Sequence, residues 1–231
     1  MKEVNFQKKF PVFPFHVKIL FKSHSGARDM YIALNKPGNV EEDKIRTKWS
    51  SDLSVNLDSE TWDTVFYICH CIVKDNTVIW FQYRILNRIL GTNKLRYACK
   101  QIENSKCRLC KSQEESLIHL FYNCDVTKQF YNLLVQWVED KIKFKVPVNP
   151  LNIILGYLIR NQHFVPANTL YLVAKKYIFS CAYTGRLPNI PEFRSHFRSL
   201  FNEQQMLAKL ENASNDFENQ LGRWRSLFDM V

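Results

Sequence analysis

The sequence predicts a mainly α-helical, multi-helical protein with one small cysteine-rich knuckle inserted between helices, and three observations lead there. Turn formers are scarce: 6 Gly and 8 Pro in 231 residues is about half of ordinary usage, which favours long helices over many short strands. Apolar residues recur at helical spacing over most of the chain, in runs opened by Asp, Asn, Ser or Thr. Cys107, Cys110, His119 and Cys124 stand close together in the pattern C-x2-C-x8-H-x4-C.

Residues 1–42 read as a partly ordered lead-in, in which the apolar run FPVFPFHVKILF is broken by Pro11 and Pro14 and followed by the turn-rich SHSGARD and NKPGN. Residues 43–145 read as a helical region with the knuckle at 107–124. A first helix starts near Asp43, and a second starts at Asp58 or Ser59 and buries Trp62, Phe66 and Cys69 or His70. A third is capped by Asp75 or Asn76, buries Val78, Phe81, Ile85 and Ile89, and carries Arg84 and Arg88 four residues apart on another face. Gly91 ends it, and Thr92 restarts a helix bearing Arg96 and Lys100. After the knuckle, Asp125 is the expected N-cap of a helix with Val126, Phe130, Leu133, Leu134, Trp137 and Val138 at helical spacing, stopped by Pro147 and Pro150.

Residues 146–231 read as a C-terminal helical region. One helix fits 151–160, and another fits 167–183 with Leu170, Ala174, Tyr177, Ile178 and Cys181 inward. From Pro191 to Phe228 the spacing of Phe193, Phe197, Leu200, Leu207, Leu210, Phe217, Leu221 and Trp224 suggests one long amphipathic helix or two collinear ones. The sequence shows no internal repeat and no low-complexity segment.

A chain of 231 residues can bury a real hydrophobic core, so it needs no metal merely to fold. Seven cysteines, an odd number, and an N-terminus without a signal-peptide pattern predict a reducing, intracellular setting in the nucleus, the cytoplasm or both. The longest uncharged apolar stretch, at 146–159, is shorter than the ~20 residues of a membrane helix and contains two prolines.

The net charge is +10, and most of it is concentrated. Between residues 84 and 111 stand Arg84, Arg88, Lys94, Arg96, Lys100, Lys106, Arg108 and Lys111 against the single acid Glu103. A field focused in this way attracts polyanions, of which nucleic acid is the commonest inside cells. A solvated helix face is the plainer reading of such a run.

Four soft or borderline ligands fall within 18 residues, at 107–124, and a first pair two residues apart lets one tight turn aim both thiolates at one ion. Zn²⁺ accepts such Cys3His tetrahedra, and a closed four-ligand shell marks a structural site. The alternative is four buried side chains with coincidental spacing. For ICHC at 68–71 the balance is reversed, and Cys69, His70 and Cys71 read as small buried residues before a second metal site. Cys99 and Cys181 read as core.

FQYRILNRILGTNKL followed by CRLCKSQEESLIHLFYNC resembles the C-terminal zinc-binding segment of reverse transcriptases encoded by non-LTR retrotransposons. KIRTKWSSDLSVNLDSETWDTVF upstream, and AKKYIFSCAYTGRLPNIPEF and FENQLGRWRSLF downstream, extend the likeness. The resemblance implies that Cys107, Cys110, His119 and Cys124 are zinc ligands and that the chain assists target-primed reverse transcription. The chain departs from the full-length pattern in having no Asp-Asp dipeptide, so the polymerase carboxylates are missing. Of a restriction-like endonuclease it has only Glu139 to Lys141, with no Pro-Asp element. Phosphate-binding glycine loops, GxSxG and HExxH are also absent from the sequence, and no catalysis is expected of the chain itself.

Two functional classes remain. In the first, zinc fixes the 107–124 loop so that the basic residues meet phosphates, with Phe121 and Tyr122 as base-stacking platforms; aromatics beside a zinc ligand also commonly just cover it. The expected partners are then nucleic acid, RNA before DNA, and a reverse transcriptase polymerase domain. In the second, the chain is a scaffold that docks on a polymerase or another copy through the apolar face of 191–228.

Overall fold

Asp58, Asp75 and Thr92, caps that the sequence leads one to expect, open three of the described helices. The computed structural model describes residues 40–73, 75–143, 145–156 and 165–227. The chain divides into two compact units, Met1–Lys48 and Trp49–Val231. Most of the lead-in lies outside the described residues, as do the side chains of Cys69, His70 and Cys71. Described helix begins with α1, Val40–Leu53.

Helix α2, Ser59–Ile72, is capped by Asp58, whose carboxylate accepts from Thr61 N at 2.7 Å. Trp62 and Val65 are buried on it and Phe66 is half-buried. Helix α3, Asn76–Leu86, is capped by Asp75 and buries Val78, Phe81 and Ile85. It ends five residues before Gly91. Asn87 closes it, and Arg88 turns the chain with φ 59° while Ile89 N and Leu90 N both donate to Arg84 O. Arg84 and Arg88 therefore do not share a helical face, and Ile89 is exposed rather than buried.

Thr92 caps α4, Asn93–Ala98, as the sequence predicts. Cys99 closes that helix at the surface and is exposed, not core. In the second half of the knuckle a π-helical turn, His119–Asn123, leads into α5, Asp125–Ile142. Phe130, Leu134 and Val138 are buried on α5, while Leu133 is exposed. Lys143, with φ 53°, ends the helix before either proline is reached.

Helix α6, Pro150–Leu155, carries proline in its first turn, where the missing N–H costs nothing. Helix α7, Val165–Thr184, touches α2, α3, α6 and the π-helical turn. Its buried residues run all round it, Ala167 and Leu170 to Ala174 among them, because it is covered on several sides. Leu170, Ala174, Tyr177, Ile178 and Cys181 are inward as predicted.

The C-terminal segment is neither one helix nor two collinear ones. Helix α8, Ile190–Leu210, ends at Glu211, and Asn212, with φ 56°, reverses the chain into α9, Ser214–Leu221, followed by a 3₁₀ turn at Gly222–Leu227. The return brings Phe217 to 5.2 Å from Phe201 and Trp224 to 5.9 Å from Phe197, ring centre to ring centre. The apolar side of α8 is thus covered by α5, α7 and α9, and Phe193, Phe197 and Phe201 are buried. Among the described residues there is no strand, and no helix is long and apolar enough to cross a membrane.

Candidate metal centre and its basic surround

A short antiparallel turn presents the first two cysteines. Glu115 N donates to Ser105 O, Lys106 bridges Glu114, and Cys107 N donates to Gln113 O at 2.7 Å. Within this turn Lys111 N reaches back to Cys107 O, and Lys111 takes φ 61°. That reversal aims the two thiols of C-x2-C at one point. Backbone N–H groups of Leu109 and Cys110 point at Cys107 Sγ, and those of Gln113 and Ser112 point at Cys110 Sγ. Ser112 Oγ also donates to Cys110 Sγ at 3.2 Å.

The second pair depends on the π-helical turn. Cys124 N donates to His119 O at 2.7 Å, an i→i+5 closure. In an α-helix, residues five apart differ by about 140° around the axis, whereas the wider π turn brings them towards one face. Thr127 Oγ1 fastens the turn to the start of α5 by donating to Leu120 O. Cys124 itself, not Asp125, is the N-cap of α5.

All four ligand atoms lie within 4.8 Å of one another. Cys107 Sγ and Cys124 Sγ are 3.9 Å apart, and Cys110 Sγ and His119 Nε2 are 3.3 Å apart. A zinc tetrahedron with Zn–S near 2.3 Å and Zn–N near 2.0 Å has edges of about 3.8 Å between sulfurs and about 3.5 Å between sulfur and nitrogen. The donor set and spacing fit zinc. Cys107, His119 and Cys124 are buried and Cys110 is half-buried, so the geometry is that of a closed structural site. His119 Nδ1 is buried without a hydrogen-bond partner among the described residues.

The sulfurs are electrostatically prepared for a cation. The Cys107 thiol, donating to Cys124, holds Cys124 down to about 5, with burial opposing and the N–H groups of Thr127 and Val126 assisting. The same contact, together with burial, pushes Cys107 up. Burial opposes the Cys110 thiolate, but the surrounding Gln113 and Ser112 donors lower its pKa overall. N–H groups at a helix start stabilise a thiolate in this way.

Eight cations were expected to face phosphate, and the structure sorts them. Arg108 is turned inward: its guanidinium meets Glu115 Oε1 at 2.6 Å, with side-chain exposures of 12% and 0%. Arg88 pairs with Asp52 at 2.6 Å and lies 3.8 Å over the Trp49 ring, and Lys94 pairs with Glu114. Arg84, Arg96, Lys100, Lys106 and Lys111 are exposed or half-exposed and make no ion pair among the described residues. The stacking role expected of Phe121 is closed to it, because the ring is fully buried against Phe81. Tyr122 is half-buried.

Glu115 is a key residue that sequence reasoning missed. Besides the guanidinium, its carboxylate accepts from Arg108 N at 2.7 Å and Asn93 N at 2.9 Å, and its carbonyl accepts from Lys94 N. Asn93 Nδ2 donates in turn to Lys106 O at 2.8 Å. One buried acid thereby joins the knuckle to the first turn of α4. Its only signal in the sequence is its place one residue past the knuckle's bridge, which is not distinctive.

No curated protein matches the chain. Residues 31–131 match the model of the family described as zinc-binding in reverse transcriptase, and Cys107, Cys110, His119 and Cys124 all lie inside the matched stretch.

Proposed function

We propose that the chain is a nucleic-acid-binding accessory segment of a non-LTR retrotransposon reverse transcriptase, in which zinc is structural and catalysis belongs to a polymerase domain it accompanies in the nucleus or cytoplasm. The observation that carries this reading is the linkage between the metal centre and the unpaired cations. Lys106 and Lys111 flank Cys107 and Cys110, while Arg96 rides on α4, which Glu115 and Asn93 tie to the knuckle, and Lys100 follows just past its end with φ 56°. Fixing the knuckle fixes these charges together, so their ordering cost is met before a strand arrives. RNA is the favoured target.

Salt dependence tests the proposal. If Arg84, Arg96, Lys100, Lys106 and Lys111 each displace a counterion, the log-log slope of affinity against salt on single-stranded RNA is roughly −3.5. Chelating the zinc lowers both affinity and slope, because Lys106 and Lys111 lose their fixed positions. A slope near zero, or nucleotide incorporation by the chain alone, contradicts the proposal.

A further inference from the structure

Outside the metal centre, α3 presents an aromatic surface that the proposed function does not use. Trp80 and Tyr83 are 58% and 41% exposed, and their rings stack at 5.0 Å with an interplanar angle of 10°. The pair is braced from within. Tyr83 meets Phe66 edge-on at 6.5 Å, and Phe66 meets the buried Trp62 at 5.3 Å. A chain of rings thus runs from the core to the surface and ends on Trp80. Two large aromatics exposed this far on a helix, already stacked and held by buried rings, are costly to leave in water.

The charges beside the stack indicate what it meets. Arg84 stands one turn beyond Trp80 and next to Tyr83, and it makes no ion pair among the described residues. Helix α7 packs beside α3, with Lys176 Nζ meeting Thr77 Oγ1 at 2.6 Å and Phe179 meeting Phe81 at 5.8 Å. Tyr183 of α7, 71% exposed, lies beside the knuckle, its ring centre 6.0 Å from the Arg108 guanidinium. A stacked aromatic pair with an unpaired guanidinium one turn along matches the alternation of base and phosphate along a strand. A duplex conceals its base faces, so this arrangement suits unpaired nucleotides.

We propose that the Trp80–Tyr83 stack is a base-stacking platform for an unpaired nucleic-acid strand, with Arg84 on its phosphate. The proposal deepens the nucleic-acid reading and rests on it. The stack gives affinity without sequence preference, because every base has a π face.

The test uses the full zinc-loaded chain and a labelled unstructured 12-nucleotide RNA, the same sequence as DNA, and the corresponding duplexes. Trp80 is exposed while Trp49, Trp62 and Trp224 are buried and Trp137 is half-buried, so stacking shows as quenching of the exposed tryptophan emission. Trp80→Ala is expected to remove that quenching and weaken single-strand binding about 10-fold, with Trp80→Phe restoring most of it and duplex binding unchanged. Equal loss for RNA and DNA supports a platform that reads base faces alone; loss confined to RNA supports the platform with an added ribose contact. If wild type binds strands but Trp80→Ala binds them equally well, the platform is wrong and the knuckle cations stand by themselves. If wild type binds neither single strands nor duplexes, the nucleic-acid reading fails with it, and the surface belongs to a protein partner.

Discussion

Arg108 and Glu115 form a nearly closed ion pair at the base of the knuckle, in which one carboxylate holds both the guanidinium and the backbone N–H of the same arginine, at 2.6 Å and 2.7 Å. The arginine beside the first zinc ligand is therefore a structural residue. Removing one partner of a buried pair strands the other charge. Glu115→Ala and Arg108→Met each strand the other's charge, and each is expected to destabilise the zinc-loaded protein by about 3 kcal/mol, measured by urea unfolding, with the double variant costing clearly less than the sum. Equal small effects would show that the pair is not a hub.

Arg84 and Arg88 divide between binding and folding. Arg88→Ala loses the Asp52 pair and the contact over Trp49, both partly exposed, and is expected to cost about 1 kcal/mol of stability with little change in the RNA salt slope. Arg84→Ala does the reverse, flattening the slope by about 0.7 while unfolding as wild type does. Isothermal denaturation beside an anisotropy titration in varied salt separates them; identical behaviour of the two variants would contradict the assignment.

Zinc retention falls as pH falls. The Cys124 pKa of about 5 lies below its ordinary value of 9.0, so the stabilisation its thiolate contributes is complete above 9.0 and is lost as pH drops through about 5. The proton on Cys107, whose pKa is raised, must leave when metal binds, which makes affinity rise with pH. A zinc indicator dye should therefore register release on titration from pH 7 towards 4. Full retention at pH 4 in the presence of a competing chelator would contradict this.

The clustering of Cys107, Cys110, His119 and Cys124 was legible because soft ligands at short spacing have few other uses. What could not be read was how His119 and Cys124 converge: the x4 spacing does not announce a π-helical turn, since its closure depends on Thr127 and the start of α5. Helix starts were legible for a similar reason, Asp58, Asp75 and Thr92 being local caps. Helix ends were not. Arg88, Lys143 and Asn212 adopt the left-handed conformation without glycine, so Gly91 and the prolines misplaced the ends of α3 and α5. The pairing of Arg88 and Arg108 with Asp52 and Glu115 is long-range, and charge counting along the sequence could not remove these two from the exposed set.

The central claim is that Cys107, Cys110, His119 and Cys124 hold one zinc ion that organises the knuckle, and native mass spectrometry of the purified chain tests it most directly. The account predicts one zinc per chain in the wild type and none in Cys107→Ser/Cys110→Ser, with helical content largely retained because the core outside the knuckle stands on its own. A full equivalent of zinc in that double variant, or a metal-free wild type purified without chelator, would contradict it.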